Sequence, residues 1–144
     1  MSYVAAIQIN SGPNIQANML VVGDLLKEIS KTNAKIVVLP ENFALMPEND
    51  MEFLQHSELE GNGIIQNAIS DYCKQYKLWI VAGTIPIKTN KDNKVRAATF
   101  IFNDDGDIVC RYDKIHLFDV QLPDSDESYN ESEIFEFGDK IQVI

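Results

Sequence analysis

The order strand, helix, strand, helix, strand, hairpin predicts an α/β fold with helices packed against a mixed sheet. Three observations on the 144-residue chain support this. Two stretches, from Ile15 and from Ile64, repeat apolar residues at helical spacing. Apolar runs at residues 3–9, 35–39 and 78–84 precede, separate and follow them, and the tetrad Asp104-Asp105-Gly106-Asp107 marks a tight reversal.

Tyr3 to Ile9 reads as a strand closed by Asn10-Ser11-Gly12-Pro13. Asn14 is placed to cap a helix whose stripe is Ile15, Met19, Val22, Leu26 and Ile29, with Gly23 weakening it slightly. Lys35 to Leu39 is a second strand, apolar enough to lie in a sheet covered on both faces, and Pro40 ends it. Residues 43–62 read as loop with at most a short helix. A second helix is expected over Ile64 to Tyr76, with Ile65, Ile69 and Cys73 on its buried side. Leu78 to Thr84 is a third strand, with Trp79 expected in the core, and Val95 to Asn103 and Asp107 to Tyr112 form an antiparallel pair. Asp119 to Glu136 reads as an acidic loop, and Ile141 to Ile144 opens another strand.

With 45% apolar and 24% charged residues, the composition is that of an ordinary globular domain with a real core. The formal net charge of −10 argues against nucleic acid or an anionic membrane surface as partner. No run approaches the roughly 20 apolar residues of a spanning helix. Met1 to Asn14 lacks the basic segment of a signal peptide, and two cysteines, Cys73 and Cys110, give no disulfide framework and no metal spacing with His56 or His116. A cytoplasmic location is therefore expected.

Two side chains stand where chemistry is usually delivered. Glu41 follows the apolar run Lys35 to Leu39, where a carboxylate is partly desolvated, a condition that suits a general base. Lys114 follows Ile108 to Asp113, and a lysine in a cleft stabilises an oxyanion. Taken singly, each has an ordinary alternative: a satisfied loop carboxylate and a surface lysine. Cys73 lies on the apolar stripe of a helix and reads as core. Cys110 is on the same predicted strand as Lys114, about 13 Å away in an extended chain, so Lys114 does not serve an oxyanion formed there.

Pro40-Glu41-Asn42-Phe43-Ala44-Leu45-Met46-Pro47 resembles the glutamate motif of the nitrilase, or carbon-nitrogen hydrolase, superfamily. Arg111-Tyr112-Asp113-Lys114-Ile115-His116-Leu117-Phe118-Asp119 resembles its lysine motif, in the same order and register. Ala82 to Pro86 and Ala97 to Phe100 are similar to its cleft strand and hairpin, and Tyr129 to Ser132 to the segment with its second glutamate. The resemblance implies a nitrilase-type α-β-β-α sandwich, of which residues 1–144 are the N-terminal portion, ending within a strand. It implies Glu41 as base, Lys114 as oxyanion partner, Glu131 as the residue orienting Lys114 and substrate, and a structural, hydrogen-bonded His116. No metal or organic cofactor is implied. The substrate class is small linear amides, such as deaminated glutathione or α-keto acid ω-amides.

The superfamily's nucleophilic cysteine lies on a later strand, so neither Cys73 nor Cys110 is expected to take that part. The partners expected are a small amide and either further copies of the chain or a complementing C-terminal half. The alternative is a non-catalytic remnant that binds or assembles. A nucleotide-binding flavodoxin-like domain needs a phosphate loop after the first strand, and Asn10-Ser11-Gly12-Pro13-Asn14 is a poor one.

Overall fold

In the computed structural model, residues 3–121 and 128–144 are described. Five strands, β1 (Tyr3–Ala6), β2 (Ala34–Val38), β3 (Trp79–Lys88), β4 (Val95–Phe102) and β5 (Ile108–Asp113), form one sheet in sequence order. The first three run parallel and the last two are antiparallel, as the strand–helix alternation followed by a hairpin requires. The connecting helices are α1 (Ile15–Ile29) and α3 (Ile64–Tyr76), with a single short helix, α2 (Met51–Gln55), in the long loop.

The helix bounds follow from local chemistry. Asn14 accepts a hydrogen bond from the Ala17 N–H, satisfying one of the free donors at the start of α1. The N-terminus of α3 is capped from a distance: buried Glu58 accepts from the backbone N–H groups of Ile65 and Gln66. Gly63 is needed there because a Cβ would meet the Glu58 carboxyl carbon at 2.1 Å. Gly23 has a packing role that its helix-weakening effect concealed: Tyr72 of α3 lies over it and donates to the Met19 carbonyl.

Val22 and Leu26 of α1 and Ile65, Ile69 and Cys73 of α3 join Val37, Ile80, Phe100 and Phe102 of the sheet in one core. Strand periodicity sends the intervening residues to the other face. There Ile36, Val38 and Trp79 remain 36–38% exposed, and Val4, register partner of Ile36, is more open still. Trp79 is thus a residue of the open sheet face, not of the core. This face is apolar and has no second layer among the described residues.

Three further differences from the sequence reading have physical causes. β3 runs on through Gly83 and Pro86 to Lys88 because β4 pairs with it over that length, although β2 pairs with it only as far as Val81. On its other side Glu58 bridges β3 at Ile87, donating to the Pro86 carbonyl and accepting from the Lys88 N–H, a pattern that asks nothing of the nitrogen of Pro86. Among its described residues the acidic loop forms two strands: β6 (Asp119–Gln121) pairs with β7 (Ser128–Asn130), and a 3-10 turn follows at Glu131–Glu133. Finally, Ile141 to Ile144 are exposed and join no ladder, since the described residues offer them no partner strand.

Candidate active site

Glu41 owes its position to the residues on either side of it. The Leu39 N–H donates to the Val81 carbonyl, extending the β2–β3 ladder by one bond. Gly83, at φ +23°, lets the Pro40 carbonyl approach so closely that a Cβ would fall 1.9 Å from its oxygen. Asn42 sits in the left-handed region at φ 53°, which asparagine tolerates, and its N–H donates to Thr84 Oγ1 at 2.9 Å. Phe43, Ala44 and Leu45 then plunge into the core, where Asn18 and Ser11 donate to the Ala44 and Phe43 carbonyls. Glu41 is left projecting from this anchored turn with its side chain 55% exposed, more open than its strand-end position suggested.

Lys114 follows β5 directly and is held through its backbone. Its N–H donates to the Ala97 carbonyl, and its carbonyl accepts from the Gly138 N–H at 2.8 Å. Gly138 packs on the Asp113 carbonyl where a Cβ would be 2.3 Å from the oxygen.

The third residue, Glu131, begins the 3-10 turn. Its Oε2 accepts from the Phe118 N–H at 2.6 Å, and its own N–H donates to the Phe118 carbonyl. Asp119 holds the same turn by accepting from the Ser132 N–H, a hydrogen bond that keeps its carboxyl below the ordinary aspartate range. Lys94 grips the turn from outside through the Ser132 and Glu133 carbonyls.

These three elements converge. Lys114 Nζ lies 2.9 Å from Glu41 Oε1 and 2.9 Å from Glu131 Oε1. Burial alone would push the Lys114 ammonium down, but hydrogen bonds to Glu41 and Glu131, with their charges, raise it above the ordinary lysine value of 10.5. Lys114 is therefore a fixed cation at neutral pH, suited to stabilising negative charge rather than to taking up a proton. One cation between two carboxylates leaves one carboxylate charge in excess, which can serve as a proton acceptor.

The remaining candidates lie apart. Cys73 is fully buried, and desolvation pushes its thiol up to about 12. Cys110 pairs with Ile101 within the β4–β5 ladder, and the thiol is half-buried. His116 is exposed, and its ring forms no hydrogen bond to a described residue. No group of three metal-ligating side chains occurs among the described residues, and no described helix is long and apolar enough to cross a membrane. The supports from Thr84, Asn18 and Asp119 were not anticipated. Their only sequence signal is a polar side chain next to a motif or on an otherwise apolar helix face.

A sandwich-type sheet with a glutamate and a lysine at strand ends defines a class, and the family comparison agrees: the chain belongs to the carbon-nitrogen hydrolase family, whose model matches residues 3–144. Among individual proteins, it is 30% identical over 141 residues to deaminated glutathione amidase of Yersinia enterocolitica, covering 97% of this chain and 49% of that protein. It is 33% identical over 148 residues to omega-amidase NIT3 of Saccharomyces cerevisiae, covering 98% and 50% respectively. The fold agrees with solved Saccharomyces cerevisiae Nit3, a member of branch 10 of the nitrilase superfamily. That match has a TM-score of 0.73 at 28% identity, covering 91% of this chain and 46% of that one. The chain spans about half the length of these curated relatives.

Proposed function

We propose that the chain supplies the base and the oxyanion partner of an amidase acting on small linear amides, and that a cysteine from a segment beyond these 144 residues completes the site. The supporting observation is the placement of Lys114 Nζ 2.9 Å from carboxylates on two separate elements. In this reading Glu41 accepts the cysteine's proton and the thiolate attacks the amide carbon. Lys114 stabilises the resulting oxyanion, and Glu131 holds Lys114 in place. The C–N bond breaks, ammonia or an amine leaves with the returned proton, and water hydrolyses the thioester to the acid. Cys73 is excluded as nucleophile by burial and its raised thiol value, and Cys110 lies within the hairpin ladder away from the Glu41 turn.

The completing segment would also cover the apolar sheet face that carries Val4, Ile36, Val38 and Trp79. In its absence that face favours self-association, which light scattering would register as species larger than the monomer. Ammonia release from simple amides tests the activity. The chain alone should give none, while the chain mixed with a family segment bearing the cysteine strand should give turnover that Lys114→Ala abolishes. Turnover insensitive to Lys114→Ala would reject the assignment. The alternative, a non-catalytic remnant that binds or assembles, predicts no turnover in either mixture.

A further inference from the structure

Strand β3 changes phase partway along its length. Ile80 and Ala82 are buried before residue 83, and Ile85 and Ile87 after it, so the core-facing set passes from even to odd positions. The ladder to β4 shows how. Ala82 pairs with Phe100 and Ile85 with Ala98, which leaves Gly83 and Thr84 together opposite Thr99. Two residues against one is a β-bulge, which bends a strand and re-aims a side chain. Gly83, at φ +23°, supplies the backbone freedom the bulge needs. An uninterrupted strand would send residue 84 to the core face with Ile80 and Ala82. The bulge instead leaves Thr84 half-buried and turned to the residues around Glu41.

There the Thr84 hydroxyl uses both of its capacities. It accepts from the Asn42 N–H at 2.9 Å and donates to Asn42 Oδ1 at 3.1 Å. The two bonds clip Asn42 in its left-handed conformation at φ 53°. Only a hydroxyl can accept and donate in this way, and valine, of the same shape, does neither. On the other side of Glu41, the Pro40 carbonyl packs on Gly83. Both sequence neighbours of Glu41 therefore rest on the same two bulge residues. The Glu41 side chain itself is more than half exposed, and its carboxylate reaches Lys114 Nζ. Its aim is set by the backbone on either side of it, not by enclosing walls.

We propose that the Gly83-Thr84 bulge aims the Glu41 carboxylate at Lys114, and that Thr84 is a positioning residue of the reaction, acting through Asn42 without touching substrate. The proposal rests on the amidase reading above and adds to it the group that fixes the base. A base displaced by about 1 Å transfers a proton far less well, while the amide still binds. The loss on removing the hydroxyl therefore falls on kcat and not on KM.

Thr84→Val, Thr84→Ser and Glu41→Gln test it together. In the 144-residue chain, NMR of the Lys114 ε-methylene as pH is raised reports whether Glu41 still holds the ammonium. Glu41→Gln should lower the Lys114 midpoint, because a hydrogen bond and a charge that raise it are lost. Thr84→Val should lower it part of that way, and Thr84→Ser, which keeps the hydroxyl, should leave it in place. Thr84→Ala replaces the valine variant if that chain loses its cooperative urea transition. In the chain complemented with a cysteine-bearing segment, Thr84→Val should lower kcat for ammonia release about 10- to 100-fold. KM should stay within about twofold, and Thr84→Ser should recover most of the rate. A midpoint that falls in Glu41→Gln but stays in Thr84→Val would overturn the positioning role and leave the amidase reading standing. So would an unchanged kcat in Thr84→Val. A midpoint unmoved by Glu41→Gln would remove the contact on which both readings rest. No turnover in any complemented chain, with the midpoint still moved by Thr84→Val, would overturn the amidase reading and with it the part of Thr84 in chemistry.

Discussion

Asp113 and Lys114 are neighbours in sequence, yet they enter two ion-pair clusters of opposite character. Asp113 is 15% exposed and accepts from Arg96 Nη1 at 2.9 Å and Arg111 Nε at 2.8 Å. Arg111 also pairs with Glu60, and Glu136 lies near Arg96 and pairs with Lys91, so three cations meet three carboxylates. Arg111 further stands 5.8 Å over the Phe100 ring, tying that network to the core. Lys114 instead faces two carboxylates, one of them more than half exposed. The first cluster spends its polarity on partners within the fold. The second leaves one carboxylate charge in excess, with Glu41 more than half exposed, as the proposed general base requires. On the proposed reading, the difference separates an ion network that holds the sheet end from one that takes part in chemistry.

Breaking the first cluster should have the larger effect on stability. Asp113→Ala leaves Arg96 without its hydrogen-bonded acceptor and Arg111 with only Glu60, and should lower unfolding free energy by about 3 kcal/mol in urea titrations. Lys114→Met should cost less, about 1–2 kcal/mol, chiefly by leaving the Glu131 carboxylate with the Phe118 N–H alone. Adding Glu131→Gln to Lys114→Met should restore part of that loss. If the two changes are additive instead, the Lys114–Glu131 pair is not coupled.

The pH dependence sharpens the same contrast. The Lys114 value is raised in the folded chain, so its contribution to stability is fully present below 10.5 and is lost as pH rises through the higher folded value. Urea titrations at pH 9.5 and about 11.5 should therefore show a smaller decline in Lys114→Met than in the wild type. An equal decline would mean the two carboxylates do not hold the ammonium. The smallest stability effect belongs to Glu41→Gln, within about 0.5 kcal/mol, because an exposed ion pair contributes little.

How much of this could be read from the sequence differs by region. Both long helices, the parallel strands and the hairpin were legible because a 3.6-residue or two-residue period and the Asp105-Gly106 turn encode them locally. Gly106, at φ +80°, occupies the position that turn demands. Strands β6 and β7 were not legible, since three residues each establish no period and their pairing is fixed by the turn at Glu131. Glu41 and Lys114 were visible as ionisable residues just past apolar runs. Glu131 was visible only through family resemblance, as one acid among many. The Asp113 clamp and the Asp119 support depend on partners far along the chain or across a loop, which neither spacing nor composition reveals. Trp79 shows the converse limit: its apolar strand was recognisable, but which sheet face lacks a covering layer was not.

The central claim is that Glu41 matters to chemistry and not to the fold. It is tested most directly by measuring unfolding free energy and ammonia release together for Glu41→Gln, using the chain complemented with a cysteine-bearing segment. Stability unchanged within about 0.5 kcal/mol, with ammonia release reduced at least about 100-fold, is the predicted result. Release at the unsubstituted rate would contradict it and leave the Lys114 cluster, like that of Asp113, a support of the fold.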